Sequence, residues 1–359
     1  MERAEVRSYH YVKEFLMENT IDTSIINSIL IRYGITANVV AQKIYIYDVD
    51  TSNYIKVIFR VSLESGKMLV IKIVREEDDL PNYIQKAEQQ SIYSEFMRSH
   101  GIITPTRYQA NGKYSTEYVF HDVSCAVIVE DWCGEECVEI TTDLAWQIGK
   151  LMAQMHTISL NNHCKIGSNT LFSAVGENDV DAFPEFCELC KNEKLNQSII
   201  SQIKELHEAK ITYLRTVWST LPKAAVQGDI SVNNLVLADN VLKIFDYNNA
   251  GDEVLVSDLV IEGLLTAYEM DIPDGVIENY RTQIFHELIR GYLSVRPLSD
   301  VEKDAAWEIY TLYNALWFSK VVYNETSLEK LIETQNYEAA NSLLTQMLID
   351  ISAKNNGLF

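Results

Sequence analysis

The residues best suited to chemistry lie in the segment AAVQGDISVNNLVLADNVLKIFDYNNAGD, residues 224–252. Asp229 is followed five residues later by Asn234, and Asp246 stands at the end of the second of two short apolar runs. Metal-assisted phosphoryl transfer needs one carboxylate to receive the proton of the attacking hydroxyl, and an amide oxygen with a second carboxylate to bind Mg²⁺. This order of residue types therefore indicates phosphoryl transfer.

A strand hairpin is predicted to position these three side chains. The runs NLVLA and VLKIFDY read as short strands joined by a turn at Asp239-Asn240. The spacing Asp-x₄-Asn alone occurs often by chance. Its coupling to a hairpin that ends in Phe-Asp-Tyr is much more specific, so we expect a catalytic loop followed by a metal-binding loop.

The segment resembles the catalytic and metal-binding loops of the aminoglycoside phosphotransferase and choline-kinase-like family, relatives of the protein kinases. That family has His-Gly-Asp with Asn five residues after the Asp, and then Ile-Asp-Phe. Here residues 227–229 read Gln-Gly-Asp and residues 245–247 read Phe-Asp-Tyr. The resemblance implies that Asp229 is the catalytic base position and that Asn234 and Asp246 are the Mg²⁺ ligands.

Three further residues take expected roles from the same resemblance. Gln227 replaces the family's His, whose main role is to support the loop, and a Gln side chain can still donate a hydrogen bond. Asp258, in SDLV, falls where the family has an Asp that braces the catalytic loop. His156 ends the helical segment WQIGKLMAQMHTI, which implies a structural role.

Lys72 lies in MLVIKIV, a strand of otherwise apolar residues. An unpaired buried ammonium is costly, so this lysine needs a partner. Kinase-like folds supply nucleotide phosphates and a Glu from the next helix, which we predict over 82–99. We prefer Glu88, sixteen residues after Lys72, because the family's pair is separated by a similar distance; Glu95, on nearly the same face, stays open.

Two more segments are candidates for binding the nucleotide. VIVEDWCGEE resembles the connector whose backbone reads the adenine edge, which implies the stretch from Glu130 to Trp132. The turn DVDTSNY, residues 48–54, is the candidate phosphate-covering loop; it contains no glycine, and Ser52 and Asn53 are its possible donors. The sequence has no GxxxxGK[ST], which excludes a P-loop NTPase.

Four residues that follow the metal-binding segment are candidates for the acceptor site. Glu262 and Glu269 come first, and the helical run DAAWEIYTLYNALWFSKVVY supplies Trp307 and Tyr310. Aromatic rings together with carboxylates suit a cationic substrate. The same pattern is also typical of packing residues and of solvated helix faces, so both interpretations stay open.

Apolar periodicity predicts a β-rich part followed by a helical part. Residues 1–132 are expected to form the N-terminal nucleotide-binding lobe, with a helical lead-in over 1–36 and a sheet and helix over 37–132. Residues 133–359 are expected to form a larger helical lobe that carries the catalytic and metal loops and the acceptor site. We therefore predict the α+β class and a protein-kinase-like two-lobe fold.

Composition limits the partners and the compartment. The 359 residues are 47% hydrophobic and 23% charged, which excludes disorder. The net charge of −21 argues against nucleic acid or an anionic membrane as the main partner. No stretch is long and apolar enough for a signal peptide or a membrane span, so we expect a cytoplasmic protein. The CELC segment at 187–190 has metal-ligand spacing but lies in a helical run, which favours ordinary thiols over zinc.

These observations support two functions. The first is an ATP- or GTP-dependent, Mg²⁺-requiring O-phosphotransferase acting on a hydroxyl of an amino sugar, an amino alcohol or a related metabolite. The alternative is a catalytically inactive binding or scaffold protein on the same fold, akin to spore-coat proteins that resemble this family. Gln227 and the glycine-free turn favour the alternative, whereas retention of all five active-site residue types favours the enzyme. A protein kinase is a poorer choice, because the chain has no Ala-Pro-Glu signature.

Overall fold

The computed structural model separates the chain into two units. The first comprises the residues up to 91 together with 105–132, and the second comprises 92–104 together with 133–359. No helix in the described part of the chain has the length and apolar character needed to cross a membrane. The residues that the structure describes are 20–49, 54–75, 79–175, 182–276, 279–355 and 357–359.

An antiparallel five-stranded sheet forms the body of the first unit, with strand order β1-β2-β3-β5-β4. Alternate residues of the second strand, from Ile55 to Leu63, are buried, as period-two patterning predicts. They form one core with buried residues of α1 such as Ile26 and Leu30. The elements are α1 (Thr23–Arg32), β1 (Val39–Val49), β2 (Ile55–Leu63), β3 (Met68–Arg75), α2 (Leu80–Ser99), whose residues from 92 onward belong to the second unit, β4 (Thr116–Phe120) and β5 (Val123–Asp131).

Helices form most of the second unit, and two short strand pairs, β6 with β9 and β7 with β8, interrupt them. The central helix α6 is buried on all sides from Leu255 to Ala267, so any polar side chain on it must find a partner inside the protein. The elements are α3 (Thr142–Asn161), α4 (Phe183–Leu189), α5 (Gln197–Val217), β6 (Lys223–Val226), β7 (Leu235–Ala238), β8 (Val241–Ile244), β9 (Gly251–Val254), α6 (Leu255–Tyr268), α7 (Tyr280–Leu293), α8 (Asp300–Ala315), α9 (Phe318–Val321), α10 (Leu328–Glu333) and α11 (Tyr337–Ile351).

Two glycines allow the backbones of α3 and α7 to touch. A Cβ at Gly149 would lie 1.9 Å from the carbonyl oxygen of Leu288, and one at Gly291 would lie 2.1 Å from that of Trp146. Neither distance is possible for real atoms, so both positions require glycine. The close crossing fixes α3 and α7, which carry buried polar groups next to α6.

The predicted hairpin is present. Strands β7 and β8 pair from Leu235 opposite Ile244 to Ala238 opposite Val241. The turn residues Asp239 and Asn240 have φ values of +52° and +59°, a conformation that Asp and Asn tolerate better than most residues. The hairpin therefore connects the two loops of the candidate site, that of Asp229 and Asn234 and that of Asp246.

The run 103–110, between α2 and β4, forms single bridges rather than a strand, from Arg107 to Glu130 and from Ala110 to Lys113. Pro105 within this run has no N–H to donate to a ladder. Of the helical lead-in predicted over 1–36, the described residues 20–36 contain α1; the prediction for residues 1–19 lies outside the described residues.

Candidate active site

The predicted catalytic loop, residues 227–234, begins where β6 ends and depends on Gly228. This residue has a φ of +74°, and a Cβ there would lie 2.7 Å from the carbonyl oxygen of Asn249. Only glycine combines that backbone conformation with so close an approach. The tight turn brings the loop against the segment that follows Asp246.

Both carboxylate oxygens of Asp229 accept hydrogen bonds. Ser231 Oγ donates to Oδ1 at 2.9 Å, and Asn249 Nδ2 donates to Oδ2 at 3.0 Å. Burial raises the pKa of Asp229, and so does the nearby Asp246 carboxylate, while the bonds from Ser231 and Asn249 lower it. Each carboxylate oxygen retains a further lone pair, so Asp229 can still accept the proton of an acceptor hydroxyl.

Asn234 closes the catalytic loop. Its Nδ2 donates to the carbonyl oxygen of Asp229 at 2.9 Å and to Ser231 Oγ at 3.2 Å. Because these bonds use the nitrogen, the oxygen of the same amide is the group available as a ligand for a metal ion.

Gln227 joins the loop of Asp229 to the loop of Asp246. Its Nε2 donates to the carbonyl oxygen of Asp246 at 2.7 Å, and its Oε1 accepts from the backbone amide of Asp229 at 2.8 Å. Gln227 is itself buried. Gln227 thus donates the hydrogen bond predicted for it, and it accepts a second one.

Glu262 lies beneath the catalytic loop. This position corrects the prediction that Glu262 contacts the acceptor substrate. It is 1% exposed, and its Oε2 accepts from the backbone amide of Ile230 at 2.9 Å. Burial raises the pKa of Glu262 well above its usual value, and the charges of Asp258 and Asp229 raise it further. Glu262 lies on the buried, apolar helix α6, and its carboxylate is therefore inside the protein rather than in a binding cleft.

Within the described part of the chain, Asp258 forms its hydrogen bond with His156 and not with the loop that it was expected to brace. Its Oδ2 pairs with His156 Nε2 at 2.9 Å, and His156 Nδ1 pairs with the hydroxyl of Tyr292 at 2.8 Å. Asp258 and Glu262 stand one helical turn apart on α6, and the bracing contact falls to the second of them. His156 is buried in this network, in agreement with its predicted structural role.

The other three candidates for the acceptor site all contact neighbouring residues of the protein. Trp307 is buried, and its Nε1 donates to the carbonyl oxygen of Ala353 at 3.2 Å. Tyr310 stacks on Phe285 with ring centroids 4.7 Å apart. For these two rings the packing interpretation is therefore the observed one. Half-buried Glu269 accepts a hydrogen bond from Trp317 Nε1 at 2.6 Å. Its role in binding the acceptor substrate stays a prediction.

Lys72, in the first unit, pairs with a strand residue rather than with Glu88. Its Nζ lies 3.1 Å from Glu130 Oε1, and Glu130 Oε2 lies 3.0 Å from Arg107 Nε. Lys72 is 4% exposed and Glu130 is 2% exposed. In the sheet Lys72 lies opposite Ile128 and Glu130 is two residues further along β5, so both side chains share a face.

Glu88 instead fixes the chain before β4, so the predicted Lys72–Glu88 pair is wrong. Its Oε2 accepts from the backbone amides of Tyr114 at 2.8 Å and of Ser115 at 2.9 Å. Glu95, the alternative, accepts from Arg98 Nε at 2.8 Å.

The predicted base-reading connector is partly engaged within the sheet. Glu130 and Asp131 lie inside β5, and the backbone amide of Trp132 donates to the carbonyl oxygen of Met68 at 3.0 Å. The ring of Trp132 stacks on Tyr45, with centroids 5.5 Å apart. The predicted phosphate-loop donors, Ser52 and Asn53, lie outside the described residues.

No family model and no curated protein matches this sequence. Solved structures match almost all of it. An aminopropanol kinase associated with a microcompartment has a TM-score of 0.56 at 14% identity, over 93% of this chain and 99% of that one. The chain has the same fold as this kinase. An amicoumacin kinase gives 0.51 at 12% identity over 92% and 93% of the chains, and a macrolide 2′-phosphotransferase from Brachybacterium faecium gives 0.50 at 12% over 93% and 99%. The predicted α+β, kinase-like fold is thereby confirmed.

Proposed function

We propose that this protein transfers the γ-phosphate of ATP or GTP to a hydroxyl of a small molecule. The observation that carries the proposal is the joined pair of loops in the second unit. Asp229 and Asn234 occupy one loop, Asp246 the other, and the side chain of Gln227 bonds to both. A base, an amide oxygen and a second carboxylate held in this way are the groups that phosphoryl transfer uses.

The oxygen ligands present fit Mg²⁺. Asp246 supplies a carboxylate and Asn234 an amide oxygen whose partner nitrogen is already bonded within the loop. Mg²⁺ is commonly bound by one or two carboxylates together with substrate phosphates rather than by a complete protein cage. When bound, the ion would neutralise charge on the nucleotide phosphates.

The chain's own groups have defined tasks in the proposed reaction. The acceptor O–H bond breaks, its proton passes to Asp229, the oxygen forms a bond to the γ-phosphorus, and the nucleoside diphosphate leaves. Lys72 would bind the nucleotide phosphates, with Glu130 as its counter-ion in the protein. Most of the rate enhancement would come from positioning and electrostatic stabilisation.

We propose an amino sugar, an amino alcohol or a related metabolite as the acceptor. The structurally similar proteins are described as kinases of aminopropanol and amicoumacin and as a macrolide phosphotransferase, which supports a small hydroxyl compound. The net charge of −21 is compatible with a cationic one. Soluble, cytoplasmic action without nucleic acid or a membrane is part of the same proposal.

A non-catalytic scaffold is the second candidate, since a family His is replaced by Gln227 and the turn 48–54 has no glycine. The two hydrogen bonds of Gln227 weaken the first of these arguments, because the loop is supported without the imidazole.

Nucleotide binding separates the two candidates. We would measure the thermal unfolding of the wild type with ATP or GTP, each with Mg²⁺ and with EDTA. A ligand that binds only the native state at a hundred times its Kd stabilises it by about 2.7 kcal/mol. We expect Mg²⁺-dependent stabilisation that Asp246→Asn removes and that Asp239→Asn, in the exposed turn of the same hairpin, retains. No stabilisation by either saturating nucleotide would favour the scaffold.

A further inference from the structure

Asn249 contacts the proposed catalytic base, although no sequence motif marks it. It lies three residues after Asp246 in the link from β8 to β9. Its Nδ2 donates to Asp229 Oδ2 at 3.0 Å. Asn249 therefore lies in the same loop as Asp246, while its side chain forms a hydrogen bond with Asp229 in the other loop.

We propose that Asn249 is a positioning residue for Asp229, a role that rests on the proposed function. Ser231 holds one carboxylate oxygen and Asn249 holds the other. A carboxylate bonded at one oxygen can still swing about that bond, whereas donors on both oxygens fix its plane. Asn249 thus decides which lone pairs of Asp229 face the acceptor hydroxyl.

The backbone of Asn249 also lies close to the loop of Asp229. Its carbonyl oxygen lies so close to Gly228 that a Cβ there would approach it to 2.7 Å. Gln227 reaches in the opposite direction, from the catalytic loop to the carbonyl oxygen of Asp246 at 2.7 Å. Two carboxamides therefore cross between the same two loops, and together they tie the position of Asp229 to that of Asp246.

Loss of the hydrogen bond from Asn249 to Asp229 should affect turnover rather than nucleotide binding. Displacement of a catalytic group by about 1 Å can cost about 100-fold in rate, because the reactants no longer meet in the reactive geometry. Among the residues that the structure describes, the hydrogen-bond partner of the Asn249 side-chain amide is Asp229 and neither proposed metal ligand. Removing the amide should therefore lower kcat while leaving the affinity for the Mg²⁺-nucleotide unchanged.

The test compares the wild type with Asn249→Leu, which keeps the side-chain size and removes the donor. Asn240→Gly is the matched control, because it removes a carboxamide from an exposed turn whose positive φ glycine accepts. With water as the acceptor, hydrolysis of Mg²⁺-ATP and Mg²⁺-GTP gives kcat and KM. We expect kcat to fall by about 10- to 100-fold in Asn249→Leu with KM within twofold of the wild type, and no change in Asn240→Gly. An unchanged kcat, or a rise in KM that accounts for the loss, overturns the proposal.

A second measurement needs no turnover. In protein labelled with ¹⁵N-asparagine, the side-chain amide signal of Asn249 should move in Asp229→Ala, whereas that of Asn240 should stay in place. An Asn249 signal that does not move shows that the contact is absent in solution and overturns the positioning role. If that signal moves but neither nucleotide stabilises the wild type, the proposed function fails while the contact stands, so the two failures are distinguishable.

Discussion

Glu253 makes the stability of this protein depend on pH near neutrality. It lies in β9, is 4% exposed, and its Oε1 accepts from the backbone amide of Val254 at 2.7 Å. Burial raises the pKa of Glu253 from 4.5 to about 7, and the charge of Asp258 acts in the same direction. The perturbation we propose is Glu253→Gln, which keeps an acceptor for Val254 and removes the charge.

The sign and size follow from proton linkage. Because the folded pKa is above the unfolded one, the native state binds the proton more tightly, and its stability falls as pH rises from about 4.5 to about 7. A shift from 4.5 to about 7 corresponds to about 3 kcal/mol of stability lost above pH 7. Glu253→Gln is free of that loss. It should exceed the wild type in stability by up to about 3 kcal/mol at pH 8, and the difference should shrink to below about 1 kcal/mol at pH 5.

The assay is urea unfolding at pH 5, 6, 7 and 8, with the free energy of unfolding extrapolated to water at each pH. The control is Glu193→Gln, which changes an exposed glutamate of the same unit. The control should follow the wild type at every pH. A gain in Glu253→Gln that is the same at pH 5 and pH 8, or no gain at all, would contradict a raised pKa of Glu253 in the folded protein.

Two further substitutions test the supports of the catalytic loop. Glu262→Leu leaves the buried amide of Ile230 without its acceptor and should lower the free energy of unfolding by about 1–3 kcal/mol; Glu262→Gln keeps an acceptor, and an equal loss in both variants would contradict the bracing role. Gly228→Ala combines a positive φ with a 2.7 Å contact to Asn249 and should cost more than about 1 kcal/mol. Gly112→Ala, at a positive φ in open space, is the control, and urea unfolding should show it less affected than Gly228→Ala.

The hairpin of the candidate site could be predicted because its signals are local. The Asp239-Asn240 turn, the apolar runs on either side and the carboxylate at the end of the second run are adjacent in the sequence. Turn chemistry and period-two patterning act over a few residues. The same holds for β2 and β3 and for the turn between them, which Gly66 closes at a φ of +83°.

The partner of Lys72 could not be predicted from local spacing. Glu130 reaches it only through the register of β3 against β5, two strands that are distant in sequence. The preference for Glu88 used helix spacing alone, and in the fold that carboxylate binds the backbone amides of Tyr114 and Ser115. Tertiary register thus overrode a spacing argument.

The contacts of Asp258, Glu262 and Asn249 also depend on the tertiary fold, and they could not be predicted from the sequence. Asp258 and Glu262 lie one turn apart on a helix that is buried on all sides, so no amphipathic pattern shows which of them faces the catalytic loop. Asn249 lies in a link without periodicity, and only the folded loops bring its amide to Asp229.

Phosphoryl transfer by the wild type and by Asp229→Ala tests both the proposed function and the role of Asp229 as the base. Mg²⁺-ATP or Mg²⁺-GTP would be supplied with aminoglycosides, choline-like alcohols, homoserine and sugar alcohols, and the phosphorylated product would be followed by ³¹P NMR. We expect the wild type to phosphorylate an acceptor of this class and Asp229→Ala to lose at least about 100-fold in turnover while its affinity for the Mg²⁺-nucleotide is retained. Asp239→Asn should behave as the wild type. Unchanged turnover in Asp229→Ala would contradict the assignment of Asp229 as the base, and the absence of any Mg²⁺-nucleotide binding by the wild type would contradict the function itself.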